Sequence, residues 1–60
     1  MKVLITITVD NAAFDHSGEV SRILRELADR YQYAPDRDLT PRVLRDVNGN
    51  AVGHLVMGDD

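Results

Sequence analysis

One stretch of helical periodicity lies between two stretches of strand periodicity. Val20, Ile23, Leu24, Leu27, Ala28 and Tyr31 recur at i, i+3, i+4, i+7, i+8 and i+11, which gathers them on one face of a helix over residues 18–33. Ahead of it, Val3, Ile5, Ile7 and Val9 alternate with Leu4, Thr6 and Thr8, which predicts a strand over residues 2–9. The first set is wholly aliphatic and faces the core; the second is half polar and faces outward. Nearly all are β-branched, which suits a pleated surface. Behind the helix, residues 42–57 read as a hairpin around Asp46-Val47-Asn48-Gly49-Asn50. The order is therefore β-α-β-β in a single domain, residues 1–60. The expected fold class is α+β, with one helix on one face of a three-stranded, mainly antiparallel sheet. A right-handed crossover points the first two strands the same way. The apolar run from Val52 to Met57 suits a central strand, so the preferred strand order is 1-3-2.

The connections carry their own chemistry. Asp10-Asn11-Ala12-Ala13-Phe14 is a turn-rich link, and Phe14 is expected to plug the core. Asp15 or Ser17 can cap the helix by accepting a bond from an orphan N–H. Glu19 and Arg30 suit the two ends of its dipole. Arg22 with Glu26, Arg25 with Asp29 and Glu26 with Arg30 make i, i+4 pairs on the outer face. Residues 33–41, with Pro35, Pro41 and Asp36-Arg37-Asp38, read as a long polar loop and the most mobile connection. The hairpin closes in one of two ways. Asn48-Gly49 makes a two-residue type I′ turn, or Val47-Asn48-Gly49 makes a three-residue loop ending with Gly49 in the left-handed region. The second is preferred, because Asp46 then opens a type I turn. It pairs Asp46 with Asn50, Leu44 with Val52 and Arg42 with His54, putting Leu44, Val52 and Val56 on the core face.

Size limits what such a domain can do alone. A chain of sixty residues buries only about 60% of the surface its unfolded state exposes. With no cysteine it has neither disulfides nor thiolate zinc sites, so oligomerisation or a partner is the expected supplement. The net charge of −3 disfavours general binding to nucleic acid or anionic membrane. No apolar run reaches the ~20 residues of a membrane span, and Met1-Lys2-Val3-Leu4-Ile5 lacks the continuation of a signal peptide. The expectation is a protein of the host-cell cytoplasm.

Little here resembles catalytic machinery. Ser17 sits beside His16, but neighbours in sequence do not face each other as a nucleophile and base must. Asp10, Asp15, His16 and Asp59-Asp60 lack metal-ligand spacing, and Asp46-x-Asn48 places its glycine where no calcium loop wants it. His54 reads as a half-exposed strand residue. The arginines at 22, 25, 30, 37, 42 and 45 are interleaved with acids rather than gathered in a phosphate-binding stripe. No catalytic residue, metal or cofactor is expected, and the chain is not read as an enzyme.

What remains is surface. One helix covers one face of a three-stranded sheet. The other is expected to carry Leu4, Thr6, Val43, Arg45, Leu55 and Met57, with Thr8 and Ala51 beside them. That mixture is too apolar for bare surface, and the open sheet edges invite another strand. Two copies can bury these faces together or join sheets edge to edge, so a homodimer is expected.

Three stretches look alike to a known group: Asn11-Ala12-Ala13-Phe14, Glu19 to Ala28, and Leu44 to Gly53 with its Asp-x-Asn-Gly-Asn-x-Val-Gly hairpin. Together they resemble very short proteins encoded by phages and prophages, a group with no established chemistry to carry over. The resemblance implies a phage setting. It also implies the way such small proteins often act, by binding and disabling a host protein, CRISPR effectors among them. The reading that follows is a non-enzymatic, phage-encoded protein-binding module, in its sharpest form an anti-CRISPR-like inhibitor of a host protein or defence complex. The alternative is a nucleic-acid-binding accessory protein of phage replication or regulation. It would use Arg22, Arg42 and Arg45 beside Tyr31 or Tyr33. A structural virion component is a third option.

Overall fold

The computed structural model describes residues 2–34 and 40–58. Strand β1 spans Lys2–Ile7, a 3-10 turn spans Ala12–Phe14, and helix α1 spans Glu19–Tyr31. Strands β2, Arg42–Arg45, and β3, Ala51–Gly58, form the hairpin. The sheet order is β1-β3-β2 and both pairings are antiparallel, so the expected α+β architecture and strand order hold. The central part of the polar loop, residues 35–39, lies outside the described residues, as do Met1 and Asp59-Asp60.

The entry to α1 differs from the expected cap. Asn11 caps the 3-10 turn instead, its side chain accepting from the Ala13 N–H at 2.9 Å, and Asp15 closes that turn on the Ala12 carbonyl. The chain then reverses through Gly18 at φ 100°, a left-handed conformation that glycine tolerates without a Cβ penalty. Neither Asp15 nor Ser17 caps the helix: Gly18 holds the cap position, with no side-chain cap bond. The helix ends at Tyr31, two residues before the expected boundary.

The hairpin closes by the three-residue loop. The Gly49 N–H donates to the Asp46 carbonyl at 3.0 Å, the Asp46 N–H donates to the Asn50 carbonyl at 2.9 Å, and Gly49 sits at φ 86°. The expected pairing then holds for only one step. Arg45 opposes Ala51, but Leu44 opposes Gly53, Val43 opposes His54 and Arg42 opposes Leu55. A β-bulge at Val52-Gly53 inserts one extra residue in β3 and rotates everything beyond it to the other face. Gly53 permits this. A Cβ there would overlap the Thr6 carbonyl oxygen and come within 3.0 Å of the Ile7 Cα, because the bulge turns that position toward the β1 backbone.

The core follows from that slip. Ile23 and Leu27 of α1 pack on Leu44, Val52 and Leu55, with Ile7, Phe14, Tyr31 and Met57 half-buried around them. Leu55 is 3% exposed, and Val56 lies on the face expected for Leu55. Phe14 joins the core margin as expected. Val3, Ile5 and Ile7 share the helix side, as expected, since Ile5 opposes Leu55 and Val3 opposes Met57, but the strand ends at Ile7 and leaves Val9 outside it and exposed. The helix leaves Val3 and Ile5 half-covered: Val3 is 50% exposed and Ile5 45%.

Candidate interaction surface

A polar latch explains why the helix favours one side of the sheet. The Glu19 carboxylate, near the start of α1, accepts the Val47 N–H at 2.8 Å from the hairpin turn and two bonds from the Arg22 guanidinium, at 2.6 and 3.0 Å. Arg22 also donates to Glu26 and to the Arg45 carbonyl. Beneath the turn, the Asp46 carboxylate accepts from the Asn48 and Asn50 N–H groups and from the side-chain amides of Asn50 and Asn11. Both carboxylates are buried, at 8% and 5% exposure. The hydrogen bond from Arg22 is the main cause that holds the Glu19 carboxyl below its ordinary value. Burial alone would push Asp46 up; the four hydrogen bonds outweigh it and hold that carboxyl low as well. Sequence reasoning placed Glu19 as a dipole partner and Asp46 as a turn former. It missed that both belong to one latch, because the contact between residues 19 and 47 is set by the tertiary fold. Asn11 to Asp46 was equally out of reach.

The expected interaction face is corrected in composition. Leu4, Thr6, Val43 and Arg45 alternate onto the helix-free side, with Val56, His54 and Ala51 as their partners in the ladders. Leu55 and Met57 do not belong to it. The bulge turns them to the helix side, where Leu55 is buried and Met57 packs against the core. What stays on the helix-free side is a patch whose largest exposed apolar residues are Leu4, 58% exposed, and Val43, 52% exposed. Thr6, His54 and Val43 form one cross-strand row, with Leu4 and Val56 in the row beside it.

The arginines named for nucleic acid are engaged within the fold. Arg42 stacks over the Tyr31 ring at 5.0 Å from its centroid and donates to the Tyr31 hydroxyl at 3.1 Å. Arg22 is held by two carboxylates, and Arg45 donates to the Gly49 carbonyl. Tyr33 stands 89% exposed beyond the helix end. A groove of about 500 Å³ lies between α1 and the hairpin, lined by residues that include Arg22, Glu26, Arg30, Leu44 and Asp46. His16 and Ser17 line a second, shallower hollow beside Phe14. Glu19 also borders it, but that carboxylate is committed to Arg22 and Val47.

Among the described residues, no group of three or more His, Cys, Asp or Glu side chains is placed to hold a metal ion. Nor is any helix among them long and apolar enough to cross a membrane. Compared with protein-family models, with curated proteins and with solved structures, the chain matches none.

Proposed function

We propose that this chain is a non-enzymatic protein-binding module that engages a folded partner protein through its helix-free sheet face. One observation carries the reading: Leu4 and Val43 hold their side chains more than half exposed on that face, around Thr6, His54 and Val56. An apolar patch rimmed by polar groups is how protein contact sites are built. The sharper form of the proposal, a phage module that blocks a host protein such as a defence complex, rests on the resemblance to short phage proteins. The alternative of nucleic-acid binding draws less support, because Arg22 and Arg42 spend their guanidinium groups on Glu19, Glu26 and Tyr31.

The test is capture from host lysate with two baits in parallel, the natural chain and Leu4→Asp/Val43→Asp. A protein held by the first and released by the second, with helix content equal in both, supports the reading. Equal capture by both baits removes the face from consideration. Steeply salt-dependent binding to oligonucleotides would move the assignment to the alternative.

A further inference from the structure

We infer that two copies of this chain pair through their β1 edges, antiparallel and centred on Ile5, to give a continuous six-stranded sheet. This proposal concerns the sheet edge and stands apart from the partner-binding face above.

The backbone decides which groups are on offer. The Thr8 N–H donates to the Val52 carbonyl at 2.7 Å, so the even residues of β1 direct their backbone groups at β3. In an antiparallel ladder the hydrogen-bonded pairs alternate. Val3, Ile5 and Ile7 therefore direct their N–H and C=O groups to the open edge. A two-fold axis at Ile5 sets Ile5 opposite its own copy and Val3 opposite Ile7. That register uses all three residues of each strand. Each contributes one donor and one acceptor, so six N–H···O=C bonds close.

The side chains agree with the backbone. Val3, Ile5 and Ile7 all stand on the helix side, where α1 leaves Val3 and Ile5 about half exposed. Pairing lays the two aliphatic rows side by side, a favourable arrangement of β-branched neighbours. Val20 and Leu24 add to it: they lie on the flank of α1 turned away from the Glu19–Arg22 latch and are 40% and 43% exposed. Natural edges are guarded by an inward charge, a proline or a bulge. The run Val3-Leu4-Ile5-Thr6-Ile7 has none of these. Only five hydrophobic residues are buried among the described ones, so a second copy supplies the burial that so small a chain lacks. The same edge contacts run in both directions across the two-fold, so the assembly closes as a dimer.

The experiment reads mass by sedimentation or light scattering across a concentration series. The natural chain is expected to be dimeric. A synthetic chain with the Ile5 amide N-methylated loses one edge donor and no side-chain atom, and is expected to be monomeric with unchanged helix content. Ile5→Lys sets like charges opposite each other and is expected to do the same; should it fail to fold, the N-methylated chain decides. The absence of cysteine gives a register test. A hydrogen-bonded antiparallel pair holds its Cα atoms about 5.5 Å apart, within the disulfide range of about 4.4–6.8 Å. Ile5→Cys should link copies under mild oxidation and Leu4→Cys should not. A monomeric natural chain, a dimer indifferent to N-methylation, or linkage at Leu4 in place of Ile5 would overturn the proposal. Each of those results leaves the lysate test of Leu4 and Val43 untouched, so the two readings fail separately.

Discussion

The two edges of this sheet are built on opposite plans. Strand β2 is four residues long, begins and ends in arginine, and follows Pro41. Arg42 lies over Tyr31 and Arg45 reaches the turn carbonyl of Gly49, while the adjoining turn is latched to α1 through Glu19. Strand β1 is six residues long and, past Lys2, carries only aliphatic and threonine side chains. One residue of it, Ile7, packs against the buried cluster. Charges and a short strand blunt the first edge, whereas the second, past Lys2, carries no charged or proline residue. The difference locates the two uses of the molecule. The buried cluster lies in the helix and hairpin, and the edge proposed for pairing lies in β1.

The largest expected effect comes from the residue that both halves share. Leu55 lies in the core, opposes Ile5 on one side and opposes Arg42 on the other. Leu55→Ala should cost about 2–5 kcal/mol. A sixty-residue domain has roughly 3–9 kcal/mol in all at about 0.05–0.15 kcal/mol per residue. Chemical denaturation should show a chain that is largely unfolded or barely folded. Ile5→Ala, on the half-exposed edge, should leave a folded chain. Similar losses from the two would erase the contrast between the regions.

Gly53→Ala comes next and separates the regions more sharply. Its new methyl meets the backbone of Thr6 and Ile7, which has no rotamer with which to yield. The expected outcome is displacement of β1 with the α1-hairpin contacts less disturbed. Amide exchange should then report lost protection at Leu4, Thr6 and Thr8, whose backbone faces β3, ahead of any loss in α1. Uniform loss would mean that β1 is integral to the fold rather than appended to it.

These two substitutions also mark where sequence reading succeeded and stopped. Periodicity located the helix and the strands, and the Asp46 to Asn50 chemistry selected the correct turn. Those are local signals, expressed over a few residues. The bulge at Val52-Gly53 is not local, because it depends on how closely the β1 backbone approaches β3. One extra residue there moved Leu55 and Met57 from the supposed interaction face into or against the core. A glycine inside an apolar strand was the available hint. Leu4, Thr6, Val43 and Arg45 keep the expected side of the sheet because the extra residue lies in β3 and neither β1 nor β2 carries one. The uncovered state of Val3 and Ile5 could not be read either. It depends on the off-centre seat of α1, which the Glu19 and Arg22 contacts with the hairpin secure.

Acid should weaken the latched side selectively. Glu19 and Asp46 both hold their protons less tightly in the folded state than in the unfolded one. Groups lowered in this way stabilise the fold at pH above their unfolded values, about 4. That contribution is lost as pH falls through the lower folded values. Stability should therefore be flat from neutral pH down to the carboxylate range and then decline. Glu19→Gln should be less stable at neutral pH and show a shallower decline in acid. Denaturation midpoints across pH would check this, and an unchanged slope in Glu19→Gln would remove Glu19 from the latch.

The smallest expected effect on stability belongs to the guard on β2, and it is the most informative about association. The Arg42 stack on Tyr31 contributes about 0.5–1 kcal/mol as a partly exposed cation–π contact. Arg42→Val/Arg45→Val should therefore leave a folded chain, somewhat less stable in denaturant. It also converts the blunted edge into an aliphatic one resembling β1. With one adhesive edge, a two-fold pairing closes and stops. With two, each dimer still offers a strand at both ends, and edge contacts propagate into open assemblies. Light scattering should then show mass that rises with concentration beyond the dimer, and Ile5 N-methylation in the same background should cap it. A double variant that keeps the natural chain's mass at every concentration would show that strand length, four residues against six, protects β2, and that its arginines do not.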